Sequence, residues 1–353
     1  MCGIHSADIQ AYSSLDALPD DVSPLLAAAD SLFGKRGWWQ TVITHAMPDG
    51  AEPCFVVCRI DGTVAGLFPM QKLATGAVGS LTTPYSCLYT PLIAPGADAP
   101  AVFAAFGRFC RPHAVVRLDG LPVDWQYWDA LTVGLRAAGL IQRRFDHFGN
   151  WHEDVAGLDW TAYLARRPGA LRETIRRRLR RAERLIDAEF SVAGDAEGLN
   201  VRIAAFEDVY TRSWKEPEPF PTFNAALMRT AAALGILRLG LWSIDRHPVA
   251  AQFWVVEHGH ATVLKLAHDE AFKAHSPGTV LTAHMLRHLL DREKVDDIDF
   301  GRGDDPYKQD WVGERRQRVG LIILSPWRIR GVLALARHDS GQLYRRWRSN
   351  RTA

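Results

Sequence analysis

Three short apolar runs, separated by hairpin-sized connectors, constrain this chain more than any other feature. They are "ILRLGLWSI" (236–244), "VAAQFWVVE" (249–257) and "ATVLKLAH" (261–268), joined by "DRHP" and "HGH". Runs of this length, rich in β-branched and aromatic residues, form an antiparallel meander when the connectors are too short for a crossover. Next comes "SPGTVLTAHMLRHLLDREK" (276–294), where Val280, Met285, Leu286 and Leu289 recur at helical spacing. Ser276 is expected as its N-cap, and Pro277 suits the first helical position. The run "DIDF" then returns as a strand through a β-α-β crossover. The pattern predicts an α/β (α+β) fold, with mixed central sheets flanked by helices.

Upstream, "AEFSVAG" (188–194) reads as a strand and 196–214 as a helix carrying Leu199, Ile203, Phe206 and Tyr210 on one face. "PEPFP" breaks the chain before a second helix that ends at Gly235. The order is β-α-α-β-β-β-α-β-α-β. The first half repeats it faintly. "PCFVVCRI" and "TVAGLFPM" form a hairpin around "DG". A strand near 76–82, a helix near 100–111, "AVVRLDGL", a helix near 126–138 and "LIQRRFDHF" follow. This predicts an internal duplication. Between the copies, residues 166–184 hold nine arginines around a stripe of Leu171, Ile175, Leu179 and Ala182, an amphipathic helix with a basic face. The expected division is a degenerate first domain (1–155), a basic connecting helix (156–187) and a second domain (188–353).

With 353 residues and 47% apolar composition the chain can bury two cores. A net charge of +2 gives no whole-protein field for an anionic polymer. Cys2, Cys54, Cys58, Cys87 and Cys110 include no CxxC pair and no zinc spacing, so they read as reduced core thiols and no metal is expected. "MCGIHSADIQ" lacks the basic start and apolar core of a signal peptide, and no apolar run reaches the roughly 20 residues of a membrane span. A cytoplasmic location is expected, with peripheral contact at the inner membrane left open.

The densest polar chemistry lies in "DDIDFGRGDDPYKQDW" (296–311), just where the crossover strand ends. The stretch is either a plain turn or a site at the end of a sheet strand. Together with "LAHDEAFKAHSPGTVL" (266–281) and "LRETIRRRLRRAE" (171–183), it resembles the GNAT acyltransferases. More closely, it resembles the tandem-GNAT group with Fem-type peptidoglycan transferases and exopolysaccharide (cellulose) biosynthesis acetyltransferases. That group often carries a Gly-Asp pair, then Tyr-Lys, then an aromatic residue, as Gly303, Asp304, Tyr307, Lys308 and Trp311 do here. The chain departs from the usual GNAT signature Q/R-x-x-G-x-G/A, since "AHSPGT" offers only Gly278. Some Fem-type members use aminoacyl-tRNA in place of acyl-CoA.

The resemblance implies acyl-CoA as co-substrate, no permanently bound cofactor, and four chemical tasks. Donor phosphates need free N–H groups at a helix start, for which Ser276, Gly278, Thr279 and Val280 are the candidates. An oxyanion needs donors, from backbone N–H groups where strand 261–268 splays from strand 297–301, or from Lys308. Lys308 reads equally as a surface lysine paired with Asp304 or Asp305. The amine needs a proton acceptor, with Asp304 first, then His268 and Asp269. Asp304 and Asp305 fit a helix cap before Pro306 as well. A leaving thiolate needs a proton, for which Tyr307 is placed after the fifth strand; it also suits packing of the turn. Gln252 and Asp269 are the candidate substrate-binding side chains.

The expected activity is acyl transfer to an amine of a cell-envelope precursor, an exopolysaccharide amino sugar or a sphingoid-type lipid base. The alternative is a Fem-like transferase that uses aminoacyl-tRNA on a peptidoglycan-type precursor. Nucleic acid enters only there, through the arginine helix. "TTPYSCLYTPL" (82–92) reads as the wall of an acceptor groove or as a packed linker. "MCGI" matches an N-terminal amidotransferase nucleophile at Cys2 over four residues only, and the basic, aromatic segment from Trp327 suits a membrane surface.

Overall fold

A computed structural model of the chain describes residues 6–329 and 331. In chain order the elements are β1 (Ala7–Tyr12), α1 (Ser23–Ala27), α2 (Arg36–His45), β2 (Glu52–Ile60), β3 (Thr63–Lys72), β4 (Val78–Ser80), β5 (Leu92–Ile93), α3 (Ala99–Cys110), β6 (Val115–Pro122), α4 (Trp128–Ala137) and β7 (Ile141–Asp154). There follow α5 (Trp160–Ala165), α6 (Gly169–Ala182), β8 (Ala188–Ala193), α7 (Leu199–Thr211), α8 (Phe223–Ala233), β9 (Leu237–Ile244), β10 (His247–Glu257), β11 (His260–His268), α9 (Pro277–His288), β12 (Asp297–Arg302), α10 (Lys308–Trp311) and β13 (Glu314–Leu324).

Two compact units divide the chain: residues up to His147 with those from Gln317 on, and Phe148–Arg316. In the first, the strand order is β1-β2-β3-β4-β6-β13, with β5 paired to β3. Only β4 and β6 run parallel, and α3 fills the crossover between them. Its core stacks Phe68 on Phe106 at 4.0 Å. In the second unit, the order is β7-β12-β11-β10-β9-β8; only β11 and β12 run parallel, and α9 fills that crossover.

The duplication is therefore one of topology. Each unit places helices between its first two strands, runs an antiparallel meander, and crosses through one helix into a parallel strand. That strand then pairs with one from a distant part of the chain: β13 beside β6, β7 beside β12. The expected blocks 1–155, 156–187 and 188–353 followed chain order, whereas these two strands do not. The expected connecting helix is two helices, α5 and α6, split at Pro168, and Tyr163 and Ile175 are in the second unit's core. The elements β1, α1, α2 and β5 are not among those expected from the sequence.

In the second unit β10 is buried along most of its length, which explains why "VAAQFWVV", a central strand covered on both faces, is apolar apart from Gln252. The helix α9 buries Val280, Leu281, Met285 and Leu286. Gly240 on β9 admits Met285, whose Sδ is 2.3 Å from where a Cβ would stand. Cys54, Cys58, Cys87 and Cys110 are buried free thiols, and burial pushes the Cys58 thiol up to about 12. Cys2 and most of the basic C-terminal segment lie outside the described residues.

Candidate active site

The site grows from a fork between two strands of the second unit. The parallel pairing of β11 with β12 covers His260–Asp297, Ala261–Ile298 and Thr262–Asp299, and goes no further. Beyond Thr262 the strands part. Just there β11 carries an extra residue against β10: Phe253 faces Lys265 and Trp254 faces Val263, leaving Leu264 without a partner. A bulge of this kind frees a backbone N–H from the ladder. The fork and the bulge thus fall on one short segment of β11, just beyond Thr262.

His268 ends β11. Its Nε2 lies 3.3 Å from Glu270 Oε1, and its Nδ1 is a buried atom with no hydrogen-bond partner. Trp214 lies against the ring at 4.4 Å, and a Cβ on Gly278 would come within 3.2 Å of Nδ1. Burial holds the imidazole below its ordinary pKa, against the pull of Glu270 and Asp269. The ring is therefore mostly neutral at pH 7. With Glu270 taking the Nε2 proton, Nδ1 carries the lone pair.

Gly278 belongs to the first turn of α9, so the structure brings two sequence candidates together. Ser276 is the N-cap of α9, as expected, but it is in the left-handed region at φ 54° and its side chain makes no cap bond. Its carbonyl accepts the Val280 N–H at 3.1 Å, so Val280 has no free donor. Gly278 and Thr279 keep the first-turn N–H groups that have no acceptor within the helix. Arg178 and Arg181 of α6 donate to Ala274 O at 3.3 and 3.5 Å, which sets two guanidinium groups beside this helix start.

Across the fork, β12 ends in two glycines in the left-handed region, Gly301 at φ 66° and Gly303 at φ 107°. Lys308 is buried, 3% exposed, and its Nζ closes this turn. It donates to Arg302 O at 2.9 Å and Gly303 O at 3.2 Å, and pairs with Asp305 at 3.1 Å. All three ammonium protons are engaged, so the geometry is that of a staple. Asp304 is exposed and gripped by Arg315 and Trp151; the hydrogen bond from Arg315 holds its carboxyl below the usual range. Tyr307 is 41% exposed, yet burial of its phenol and the Asp305 charge push its pKa up, so it stays protonated at neutral pH.

Two candidates lie inside the fold. Gln252 is 1% exposed, with Nε2 donating to Thr282 Oγ1 at 2.7 Å and Oε1 accepting from Trp254 at 2.9 Å. Asp269 is also buried; it accepts from Ala271 N at 2.8 Å and pairs with Arg212. Both amide ends of one and the carboxylate of the other are spent on the fold. Sequence reading also missed a group around "SWKEPEPF" (213–220), where Trp214, Lys215 and Glu218 border the site. An aromatic-lysine pair between a helix end and a proline-rich break was the available signal.

Among the described residues, no group of three or more His, Cys, Asp or Glu could hold a metal ion, and no helix is long and apolar enough to cross a membrane.

Residues 169–309, from α6 into α10, match the family described as acetyltransferase (GNAT) domain. No curated protein matches the chain. Among solved structures, FemX aligns with a TM-score of 0.59 and 12% identity, over 89% of this chain and 96% of that one. The C-terminal domain of a protein assigned as a lysylphosphatidylglycerol synthetase from Agrobacterium fabrum aligns at 0.54 and 13% identity, over 92% and 95%. A tandem GNAT protein from the clavulanic acid biosynthesis pathway aligns at 0.50 and 13%, over 91% and 99%. At such identities the likeness is one of fold. The chain has the mixed α/β fold seen in tandem GNAT proteins, and the stretch that matches the GNAT acetyltransferase model lies within its second unit.

Proposed function

We propose that the chain is an acyl-CoA-dependent N-acyltransferase. Its acceptor is an amine of a cell-envelope precursor, an exopolysaccharide amino sugar or a sphingoid-type lipid base. The observation that carries the reading is that the matched GNAT domain, residues 169–309, contains the β11–β12 fork together with the first turn of α9. The envelope acceptor draws on the printed names of the FemX and lysylphosphatidylglycerol synthetase neighbours.

The residues fit an acyl-CoA. The N–H groups of Gly278 and Thr279, with Arg178 and Arg181 nearby, suit donor phosphates. Backbone N–H groups at the fork suit the oxyanion. His268 Nδ1 accepts the amine proton as the C–N bond forms, and Tyr307 delivers its proton to the departing thiolate as the C–S bond breaks. In this assignment Asp304 is replaced by His268 as base, and Lys308 positions the turn.

The test is thiol release across acetyl- to palmitoyl-CoA with candidate amines, beside His268→Ala and Tyr307→Phe. A donor that releases thiol only with an amine present is expected; every donor inert would sink the reading. The second reading, an aminoacyl-tRNA donor, is favoured by one observation: Arg176, Arg177, Arg180, Arg181 and Arg184 on or next to α6 are exposed. It predicts tight, salt-sensitive tRNA binding, and no binding at low salt removes it.

A further inference from the structure

The loop between α7 and α8 opens into a cavity of about 370 Å³ that the acyl-transfer steps above do not use. Phe206, Tyr210, Lys215, Pro217, Glu218 and Pro221 are among its walls. Lys215 lines the cavity, and two further ammonium groups stand near it. Lys215 Nζ lies 5.7 Å from the Tyr210 ring centre and 5.7 Å from that of Trp214; Lys265 Nζ lies 6.0 Å from the same Tyr210 ring. Lys308 is close enough for its charge to act on Lys215.

Two of the three are neutralised. Lys265 pairs with Glu218, which also accepts from the Tyr210 hydroxyl, and Lys308 pairs with Asp305 at 3.1 Å. Among the described residues, the Lys215 ammonium has no hydrogen-bond or ion-pair partner; it stands over two aromatic faces, with the Glu218 and Asp305 carboxylates acting on it from beyond ion-pair distance. Glu207 also lines the cavity, where it is exposed. One positive charge is therefore left over, on a half-buried side chain whose three donors are unspent. Burial and the Lys265 charge push its pKa down to about 8, as expected of an ammonium short of a counter-ion.

We propose that Lys215 and this cavity form an oxyanion-binding subsite for the acceptor, selecting one that carries a carboxylate or phosphate beside an apolar segment. The aromatic and proline walls take the apolar part, and the Lys215 ammonium takes the charge. Trp214 joins the subsite to the reaction: it neighbours Lys215 in sequence and lies on His268, the proton acceptor. The first turn of α9 is not among the cavity's walls. Assigning the anion to the acceptor rests on the acyl-transfer reading; binding of the anion does not.

The two are tested separately. The chain has seven lysines, few enough to resolve by NMR after reductive ¹³C-methylation. The Lys215 signal is identified by its loss in Lys215→Arg. Its titration is followed in chloride, inorganic phosphate and acetate at one ionic strength, so that screening is constant. A midpoint near 8 that rises by about half a unit or more in phosphate or acetate is expected, since a bound anion favours the ammonium. The arm that moves it tells phosphate from carboxylate. A midpoint unmoved by both overturns the subsite, even where acyl transfer is active. A shifted midpoint with every acyl donor inert leaves the subsite standing and removes the acyl-transfer reading. With an active acceptor in hand, Lys215→Met is expected to raise KM about tenfold for the anionic acceptor, the cost of roughly one charged hydrogen bond. It should leave kcat and the neutral counterpart near wild type, and Lys215→Arg should restore most of the affinity. An equal effect on both acceptors would assign Lys215 to the fold.

Discussion

Arg315 grips Asp304 with two nitrogens. Nε lies 2.9 Å from Oδ1 and Nη2 lies 2.5 Å from Oδ2, while the Trp151 indole donates to Oδ1 at 2.8 Å. A carboxylate held this way keeps its charge and takes up protons poorly. In the proposed reaction the neutral ring of His268, with its unpartnered Nδ1, is therefore assigned as the base. His268→Ala is expected to lower kcat/KM by roughly a hundredfold or more, the usual cost of a lost general base. Asp304→Asn should cost much less. The sign of the pH dependence follows. Burial disfavours the imidazolium, so the active, neutral form persists to lower pH than for a free imidazole. The acid limb of kcat/KM should therefore fall through a midpoint below the ordinary histidine value. That limb should vanish in His268→Ala and persist in Asp304→Asn; the reverse pattern would return the role to Asp304.

Lys308 makes a different prediction from that of a catalytic lysine. Its ammonium spans Arg302 O, Gly303 O and Asp305, and so fixes the turn carrying Tyr307. Lys308→Met leaves two carbonyls of this turn without their donor, at a cost of roughly 2 kcal/mol. Thermal unfolding should show that loss without any substrate. Activity should fall with it, in KM as well as kcat. Full stability with kcat alone abolished would instead make Lys308 a catalytic residue.

The meander, the α9 crossover and β12 were legible because each carries its own period, short apolar runs or a 3.6-residue stripe, and its own punctuation. The partner strands of the two sheets were not. β7 and β13 read correctly as strands, but their place depends on pairing at long range, which local pattern does not encode. The same limit explains the site. Gly278 and His268 are ten residues apart in sequence and meet through the β11-to-α9 turn, so their neighbourhood could be read. Whether Gln252 and Asp269 faced substrate or interior could not, because both polar types suit either place until Thr282, Trp254 and Arg212 are seen around them. Lys215 was hidden for the opposite reason: what marks it is the absence of a partner, visible only in three dimensions.

Arg167 shows that the nine arginines are not one surface. It is 6% exposed, pairs with Glu153, and donates to Trp311 O, which also accepts from the Tyr163 hydroxyl. Glu153 in turn accepts the Gly313 N–H at 2.8 Å. Arg167→Met leaves the buried carboxylate with only the half-exposed Arg166, 3.8 Å away, as counter-ion, and is expected to cost about 3 kcal/mol. Adding Glu153→Leu should recover much of that loss, because the buried charge is then gone. Urea unfolding of both singles and the double measures the coupling. Near-additive losses would mean that the pair is not the unit of stability described here.

Gly240 and Met285 set how closely α9 lies on the meander. A Cβ at position 240 would stand 2.3 Å from Met285 Sδ, far inside any contact a real Cβ makes, and 3.2 Å from its Cγ. Gly240→Ala therefore forces Met285 from its rotamer or lifts the helix, at about 1–3 kcal/mol, typical of an overpacked core. Met285→Ala alone should cost roughly 2–5 kcal/mol by leaving a cavity. Together the two changes act on the same space, the new methyl entering the vacated volume. The double variant is expected to lose less than the sum of the singles. Denaturant unfolding of the four proteins gives the coupling, and a sum within experimental error of additivity would show that the two residues do not share a contact. Because the proposed reaction places the donor on Gly278 and Thr279 of α9, Gly240→Ala should weaken donor binding as well. Its KM for acyl-CoA should rise, and the Gly240→Ala/Met285→Ala pair should bring it part of the way back.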